Sequence, residues 1–382
     1  MQKKIITIIG ARPQIIKSAA ISRAIRTQFS AQIQELIVHT GQHYDENMSE
    51  VFFGELEIPK PNYNLNIGSG SHGFQTAKMI EGLEQIYLQE KPNAVIVYGD
   101  TNSTIAGALA AIKIQIPVVH IEAGLRSFNK QMPEEVNRIA CDHMSSLLFT
   151  PTKTGLENLK KEGFKPNSEG KATPDSPKVY HCGDIMYDNS IYFSTVSDQK
   201  SSLLKKLNIT PNNYILCTIH RDSNTDIAEN LTSIFEALLE ISKRASLQIV
   251  LPLHPRTRSK LKDQLSSELL EKIEQSNTLK IIEPVGFLDI ISLEKNAKLI
   301  ITDSGGLQKE AFFFQKPCII LREQTEWIEI VENGNALLTG ANKTAIIEAF
   351  IQLNEKQDYT YPSFYGDGEG AVFICQKIID EL

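Results

Sequence analysis

Ala94-Val95-Ile96-Val97-Tyr98-Gly99-Asp100 sets five apolar residues in a row and then stops at a glycine and an acid. A strand with one face in water alternates apolar with polar residues. This run does not alternate, so both of its faces are expected to be buried, which is the mark of a parallel sheet covered by helices. The same shape recurs at Ile5–Gly10, Leu36–Gly41, Pro117–Gly124, Leu147–Thr152, Val179–Asp184, Ile215–His220, Ile249–His254, Ile281–Gly286, Leu299–Gly306 and Cys318–Arg322, making eleven runs separated by helix-length segments. Repeated βα units predict an α/β fold.

Eleven strands are too many for one ordinary sheet, and 382 residues exceed the roughly 250–300 at which a single core stops growing. Two Rossmann-like domains with a cleft between them are expected. Lys165–Pro177 (KPNSEGKATPDSP) has three prolines and almost no apolar residue, so it reads as the linker. The division is therefore residues 1–177, residues 178–366, and a closing segment 367–382. In that segment Val372, Ile374, Ile378 and Ile379 fall at helical spacing.

Composition narrows the function classes. Hydrophobic residues make up 41% and charged residues 22%, and no apolar run approaches the roughly 20 residues a membrane span needs. The apolar run Ile5–Ile9 meets Arg12 too soon for a signal peptide. Cys141, Cys182, Cys217, Cys318 and Cys375 are scattered and odd in number, which suits buried thiols in a reducing cytoplasm. A net charge of −7 opposes broad binding to nucleic acid or an anionic membrane, so any anionic ligand has to be held by local groups.

In open parallel sheets, ligands bind beyond the carboxyl ends of the strands. The residues that follow the apolar runs are notably polar: Arg12, His39 and His43, Asp100, Glu122 with Arg126, Asp184, His220 with Arg221, His254 with Arg256, and Asp303-Ser304-Gly305-Gly306. Gly10-Ala11-Arg12-Pro13-Gln14 opens a helix but lacks the second and third glycines of a dinucleotide fingerprint, which argues against bound NAD. Arg12 and Lys17 instead offer charge for an anion at a helix start. In Asp303-Ser304-Gly305-Gly306 two glycines let backbone N–H groups approach a phosphate while Ser304 donates another bond, although a tight turn can need glycine for packing alone. Glu310, six residues past Ser304, is placed to accept ribose hydroxyls.

Asp100, Glu122 and Glu134 lie in the first half; acids converging on one cleft raise one another's pKa and so serve as acid/base groups near neutral pH. The bland alternative pairs Glu122 with Arg126, and Glu134 or Glu135 with Arg138 one helical turn on; for Glu135 we favour it. His220 closes the run Ile215–Ile219 beside Arg221, where an anionic leaving group could be held. His39, His72, His120 and His181 read as hydrogen-bonded edge residues without a functional role. No Cys/His cluster or Ca-loop spacing indicates a metal.

The ordered motifs G-A-R-P-Q-x-I-K, G-D-T-N-S-T, H-I-E-A-G-L-R, M-P-E-E-x-N-R, T-D-S-G-G-x-Q-K-E-A and Y-G-D-G resemble those of the non-hydrolysing UDP-N-acetylglucosamine 2-epimerases, from Ile5 to about Ile379. Three further segments, S-F-N-x-x-M-P-E-E, V-F-F-x-E-L-x-I-P-K-P and Q-K-E-A-F-F-F-x-K-P-C, resemble most the subgroup that epimerises UDP-2,3-diacetamido-2,3-dideoxy-glucuronic acid for surface polysaccharide. The resemblance implies the glycosyltransferase-B architecture, a C-terminal helix returning to the first domain, no cofactor, a UDP-sugar partner and a homodimer. It also implies roles. Arg12 and Lys17 contact diphosphate or sugar, and Asp100, Glu122 and Glu134 form the acid/base set. His220 serves the diphosphate and the chemistry; Ser304, Gly305, Gly306 and Glu310 hold phosphate and ribose, with His254 on the same UDP side. Two segments depart from the family pattern: His220-Arg221-Asp222-Ser223-Asn224 and Gln42-His43-Tyr44-Asp45. They stand where relatives bind an activating second UDP-sugar, so no strict need for an activator is expected. The rival readings are a hydrolysing 2-epimerase, a glycosyltransferase of the same fold, and a non-catalytic UDP-sugar sensor.

Overall fold

A computed structural model describes residues 2–41, 53–54, 56–165 and 170–382. His43, the segment Gln42–Asp45 and the start of the V-F-F run lie outside the described residues. The chain forms two compact units, Met1–Ile191 with Ser363–Leu382, and Tyr192–Pro362.

In the first unit, β1 (Lys3–Ile9), β2 (Ile33–His39), β3 (Tyr63–Asn64), β4 (Ala94–Tyr98), β5 (Val118–Ile121), β6 (Leu147–Thr150) and β7 (Lys178–His181) form one sheet. Their order is β3-β2-β1-β4-β5-β6-β7, and every pairing is parallel. All five residues of β4 are buried, as the lack of alternation requires. Each buried Val or Ile there contributes about 1.5–3 kcal/mol. Helices His72–Glu90 and Asn102–Lys113 cover the sheet through Met79, Leu83, Ala106 and Ala110.

In the second unit, β8 (Tyr214–Thr218), β9 (Gln248–Pro252), β10 (Leu279–Ile282), β11 (Leu299–Thr302), β12 (Cys318–Ile320) and β13 (Ala336–Leu338) follow the order β10-β9-β8-β11-β12-β13, again all parallel. Each unit therefore has a switch point where the strand order reverses, between β1 and β4 in the first and between β8 and β11 in the second. Ligand-binding crevices form at such points.

The segment Lys165–Pro177 does not divide the sheets, which corrects the boundary at 177. β7 follows it and pairs with β6, placing Leu148 opposite Val179, and Val179 completes an apolar cluster with Ala123, Leu148 and Leu159. The chain passes to the second unit inside the helix Ile185–Lys200. Residues from Ser363 onward, rather than from 367, group with the first unit. There the helix Gly370–Glu381 is tied by an ion pair of Glu381 with Lys178, a bond from Tyr180 Oη to Glu381 (2.5 Å) and one from Ala371 N–H to Asp188 (2.7 Å). Among the described residues no helix is long and apolar enough to cross a membrane.

Candidate active site

At the first switch point Gly10 ends the β1 turn. A Cβ there would overlap Ser103 Oγ and Thr40 Oγ1, so packing alone demands glycine. Gln14 fixes the loop by accepting from the N–H groups of Gly10 (2.9 Å) and Ala11 (3.1 Å). Arg12 stands exposed at the start of the helix Arg12–Ala24, and Lys17, on its second turn, forms an ion pair with Glu122. Glu122 has a left-handed backbone, φ 75°. A non-glycine residue in that region costs on the order of 1–3 kcal/mol and is held there by its surroundings.

Asp100 follows β4 after Gly99, whose φ of 61° is itself left-handed. Its carboxylate pairs with Arg138, and its carbonyl accepts from Asn137 (2.9 Å). Arg138 also holds Glu135 at 2.7 Å, as their one-turn spacing predicts. Glu135 is buried. Burial pushes its pKa up, and the N–H groups of Ser127 and Phe128 together with Arg138 outweigh it, so the pKa is lowered. Glu134 is exposed in the first turn of the helix Pro133–Met144.

Neither Asp100 nor Glu122 stands as a bare carboxylate, since each meets a cation. Nor does Glu122 pair with Arg126, whose guanidinium is 1% exposed and binds Asp142 (2.7 Å) and Glu162 (2.6 Å). Sequence spacing gives the Arg138–Glu135 pair but misses the Arg138–Asp100 pair and Asp142 altogether, because those partners are set by the fold and not by spacing.

At the second switch point, Asp303 is fully buried and gathers the loop after β8. It accepts from the N–H groups of His220 (3.0 Å) and Arg221 (3.0 Å), from Asn224 Nδ2 (3.1 Å) and from His220 Nδ1 (2.8 Å). Burial raises its pKa, but His220 and the N–H groups win and lower it. The His220 side chain stays 57% exposed. His254, also exposed, caps the helix Pro255–Gln264 after β9.

Ser304 caps the helix Gly305–Phe313, its Oγ accepting from Leu307 N–H (3.4 Å). The N–H groups of Gly305 and Gly306, at the first two positions of that helix, have no acceptor among the described residues. Neither glycine is needed for packing or for φ. An added Cβ would meet nothing closer than 3.7 Å at Gly305 and 3.8 Å at Gly306. The packing explanation that holds for Gly10 fails here, and what remains is bare backbone at a helix N-terminus, which favours an anion. Glu310 lies on the same helix. The segment Arg322–Trp327 braces this turn: Trp327 Nε1 donates to Gly305 O (3.0 Å), Thr325 to Gln308 (2.5 Å), and Lys309 lies over the Trp327 ring at 4.1 Å.

A profile of the UDP-N-acetylglucosamine 2-epimerase family matches residues 26–379. The chain belongs to that family. It is 50% identical over 376 residues to a UDP-N-acetylglucosamine 2-epimerase homolog of Methanococcus maripaludis, spanning 98% of this chain and 99% of the relative. It is 46% identical over 375 residues to the UDP-2,3-diacetamido-2,3-dideoxy-D-glucuronate 2-epimerase of Pseudomonas aeruginosa, spanning 98% and 99%. The crystal structure of Methanocaldococcus jannaschii UDP-GlcNAc 2-epimerase in complex with UDP-GlcNAc and UDP is similar at a TM-score of 0.81 and 42% identity, covering 98% of this chain and 99% of that one. Like these epimerases, this family member is built from two Rossmann-like units of the glycosyltransferase-B type.

Proposed function

We propose that the protein interconverts the C2 epimers of a UDP-linked 2-acetamido sugar by eliminating and re-adding UDP, without hydrolysis. The observation that carries this reading is the bare Gly305–Gly306 helix start, which leaves two N–H groups for an anion and no packing reason for either glycine.

The C2 hydrogen of such a sugar has no carbonyl beside it and is not acidic. Since the first loop lacks a dinucleotide fingerprint, the route runs through C1. The C1–O bond breaks with its electron pair going to the β-phosphate oxygen, a base takes the C2 proton, and a C1=C2 double bond forms. UDP then re-adds at C1 while C2 receives a proton on the opposite face. Asp100, Glu122 and Glu134 share the proton work, and Lys17, in contact with Glu122, stands in its path. Ser304 and the Gly305–Gly306 N–H groups hold the departing diphosphate with Arg12, His220 and His254, and Glu310 holds the ribose. Electrostatic support of the leaving group is usually the largest catalytic term.

For the sugar itself we favour the UDP-2,3-diacetamido-2,3-dideoxy-glucuronate, on the segments Ser127–Glu135 and Gln308–Cys318 and the 46% identity to the Pseudomonas aeruginosa enzyme. Its carboxylate needs a cation. Arg126 is committed to Asp142 and Glu162, and Arg256 to Asp222 (2.8 Å) and Asp226 (3.4 Å), which leaves Lys130, exposed and without an ion pair among the described residues. A cytoplasmic homodimer fits the five free cysteines and the family, and light scattering checks the dimer. Steady-state kinetics on both sugars tests the substrate: the uronate should react at least tenfold faster, about 1.4 kcal/mol of differential transition-state binding. Faster turnover of UDP-N-acetylglucosamine reassigns the enzyme to the plain epimerase.

A further inference from the structure

His120 ends up in a position that no surface or edge role explains. It is fully buried on β5, with Nδ1 2.7 Å from Asp142 Oδ1 and Nε2 2.8 Å from the carbonyl oxygen of Gly99. Asp142, also fully buried, receives three donors: the His120 ring, Gly124 N–H at 3.1 Å and Arg126 at 2.7 Å. A carboxylate set among donors is ionised, so Nδ1 carries a proton. A carbonyl oxygen only accepts, so Nε2 carries one too. The ring is therefore an imidazolium.

Its charge is balanced locally. Two cations, His120 and Arg126, stand with two carboxylates, Asp142 and Glu162; the buried Cys141 thiol and, on the Glu162 side, the His143 ring at 3.8 Å are titratable neighbours. Burial works against a charged ring, but the contacts with Cys141 and Asp142 outweigh it and raise its pKa well above the ordinary histidine value.

The two ends of this chain of bonds are the two turns that carry the acids. Gly99 O belongs to the left-handed turn before Asp100, and Gly124 N–H to the strained turn that starts at Glu122. We propose that His120 is a positioning residue: with Asp142 it forms a buried imidazolium–carboxylate brace that sets the Asp100 turn and the Glu122 turn in register. The inference rests on the acid/base role proposed for those residues. Losing the brace lets one acid shift against the other while the UDP-binding groups of the second unit stay in place. A misplacement near 1 Å costs on the order of 10²-fold in rate.

The test has two arms. Nitrogen-15 NMR of the histidine rings in the full-length protein reads the charge directly, whatever the reaction proves to be. Both His120 nitrogens should be protonated up to pH 8, and a neutral tautomer there overturns the brace. His120→Gln keeps an N–H for Gly99 O without the charge or the Asp142 bond, and His120→Asn keeps the Asp142 bond alone. For each, kcat should fall about 10- to 100-fold with KM for the UDP-sugar unchanged. A drop in melting temperature with kcat per folded enzyme intact makes His120 merely structural and overturns the proposal. If the wild-type enzyme turns over no UDP-sugar, the functional reading fails while the NMR arm still decides the imidazolium.

Discussion

The two switch points use one device to opposite ends. Each buries an aspartate, Asp142 in the first unit and Asp303 in the second, and each aspartate binds a histidine and backbone N–H of a nearby turn, one group at Asp142 and two at Asp303. In the first unit the histidine is sealed and the acids are paired with cations, Asp100 with Arg138 and Glu122 with Lys17. In the second unit the histidine is left exposed, and beside it the Gly305–Gly306 N–H groups have no partner among the described residues. In the first unit two of the candidate acids meet cations, and in the second two N–H groups beside an exposed histidine are left for an anion. The proposed function divides proton transfer and diphosphate binding along this difference.

The sharpest way to break this division is to remove the acids. Asp100→Asn, Glu122→Gln and Glu134→Gln should each lower kcat by about 10²-fold or more with the fold kept and UDP affinity within about twofold of wild type. Circular dichroism, calorimetry and steady-state rates check this, and near-normal turnover in all three variants removes the proton-transfer role of the first unit.

Glycines sharpen the comparison from the other side. Gly10→Ala puts a Cβ into Ser103 Oγ and Thr40 Oγ1, two hydroxyls that bond each other at 2.8 Å, and should cost about 1–3 kcal/mol of stability. Gly305→Ala and Gly306→Ala should leave the melting temperature unchanged or slightly higher, since alanine favours a helix by roughly 0.5–1 kcal/mol over glycine. Their UDP dissociation constants should rise about tenfold, because the added methyl group takes the space of a phosphate oxygen. Unaltered UDP binding in both would return these glycines to a packing role.

The smallest expected effect concerns Glu294, buried on the helix Phe287–Asn296 with neither carboxyl oxygen hydrogen-bonded. Burial, and next the charge of Glu310, raise its pKa well above the ordinary value. A raised folded pKa means that this group's contribution is fully present below the unfolded value near 4.3 and declines as pH rises toward the folded one. Glu294→Gln, isosteric with the protonated acid, should match wild type in urea midpoint near pH 4 and exceed it at pH 8. An equal midpoint at pH 8 means that the carboxyl group is not held protonated.

Much of this was legible before any coordinates. Every one of the eleven apolar runs became a strand, because a parallel strand buried on both faces has to be written in apolar residues. β3 and β13 escaped because two or three residues at a sheet edge need no such run. The domain boundary was misplaced because a polar, proline-rich loop resembles a linker, whereas the actual passage runs through a continuous helix. Candidate site residues could be read where a polar side chain ends an apolar run, as at Asp100, Glu122, His220 and Ser304. Their partners could not. Arg138 and Asp142 sit in an ordinary amphipathic helix, 38 and 22 residues from the groups they bind, and only the fold pairs them.

The central claim is that UDP leaves and returns while C2 exchanges its proton. Incubating the enzyme with the UDP-sugar in deuterium oxide and following C2 by proton NMR tests it in one tube. The C2 signal of both epimers should disappear as deuterium enters, with the sugar still linked to UDP. Epimerisation with the C2 hydrogen fully retained, or accumulation of free sugar and UDP without the linked epimer, would contradict it.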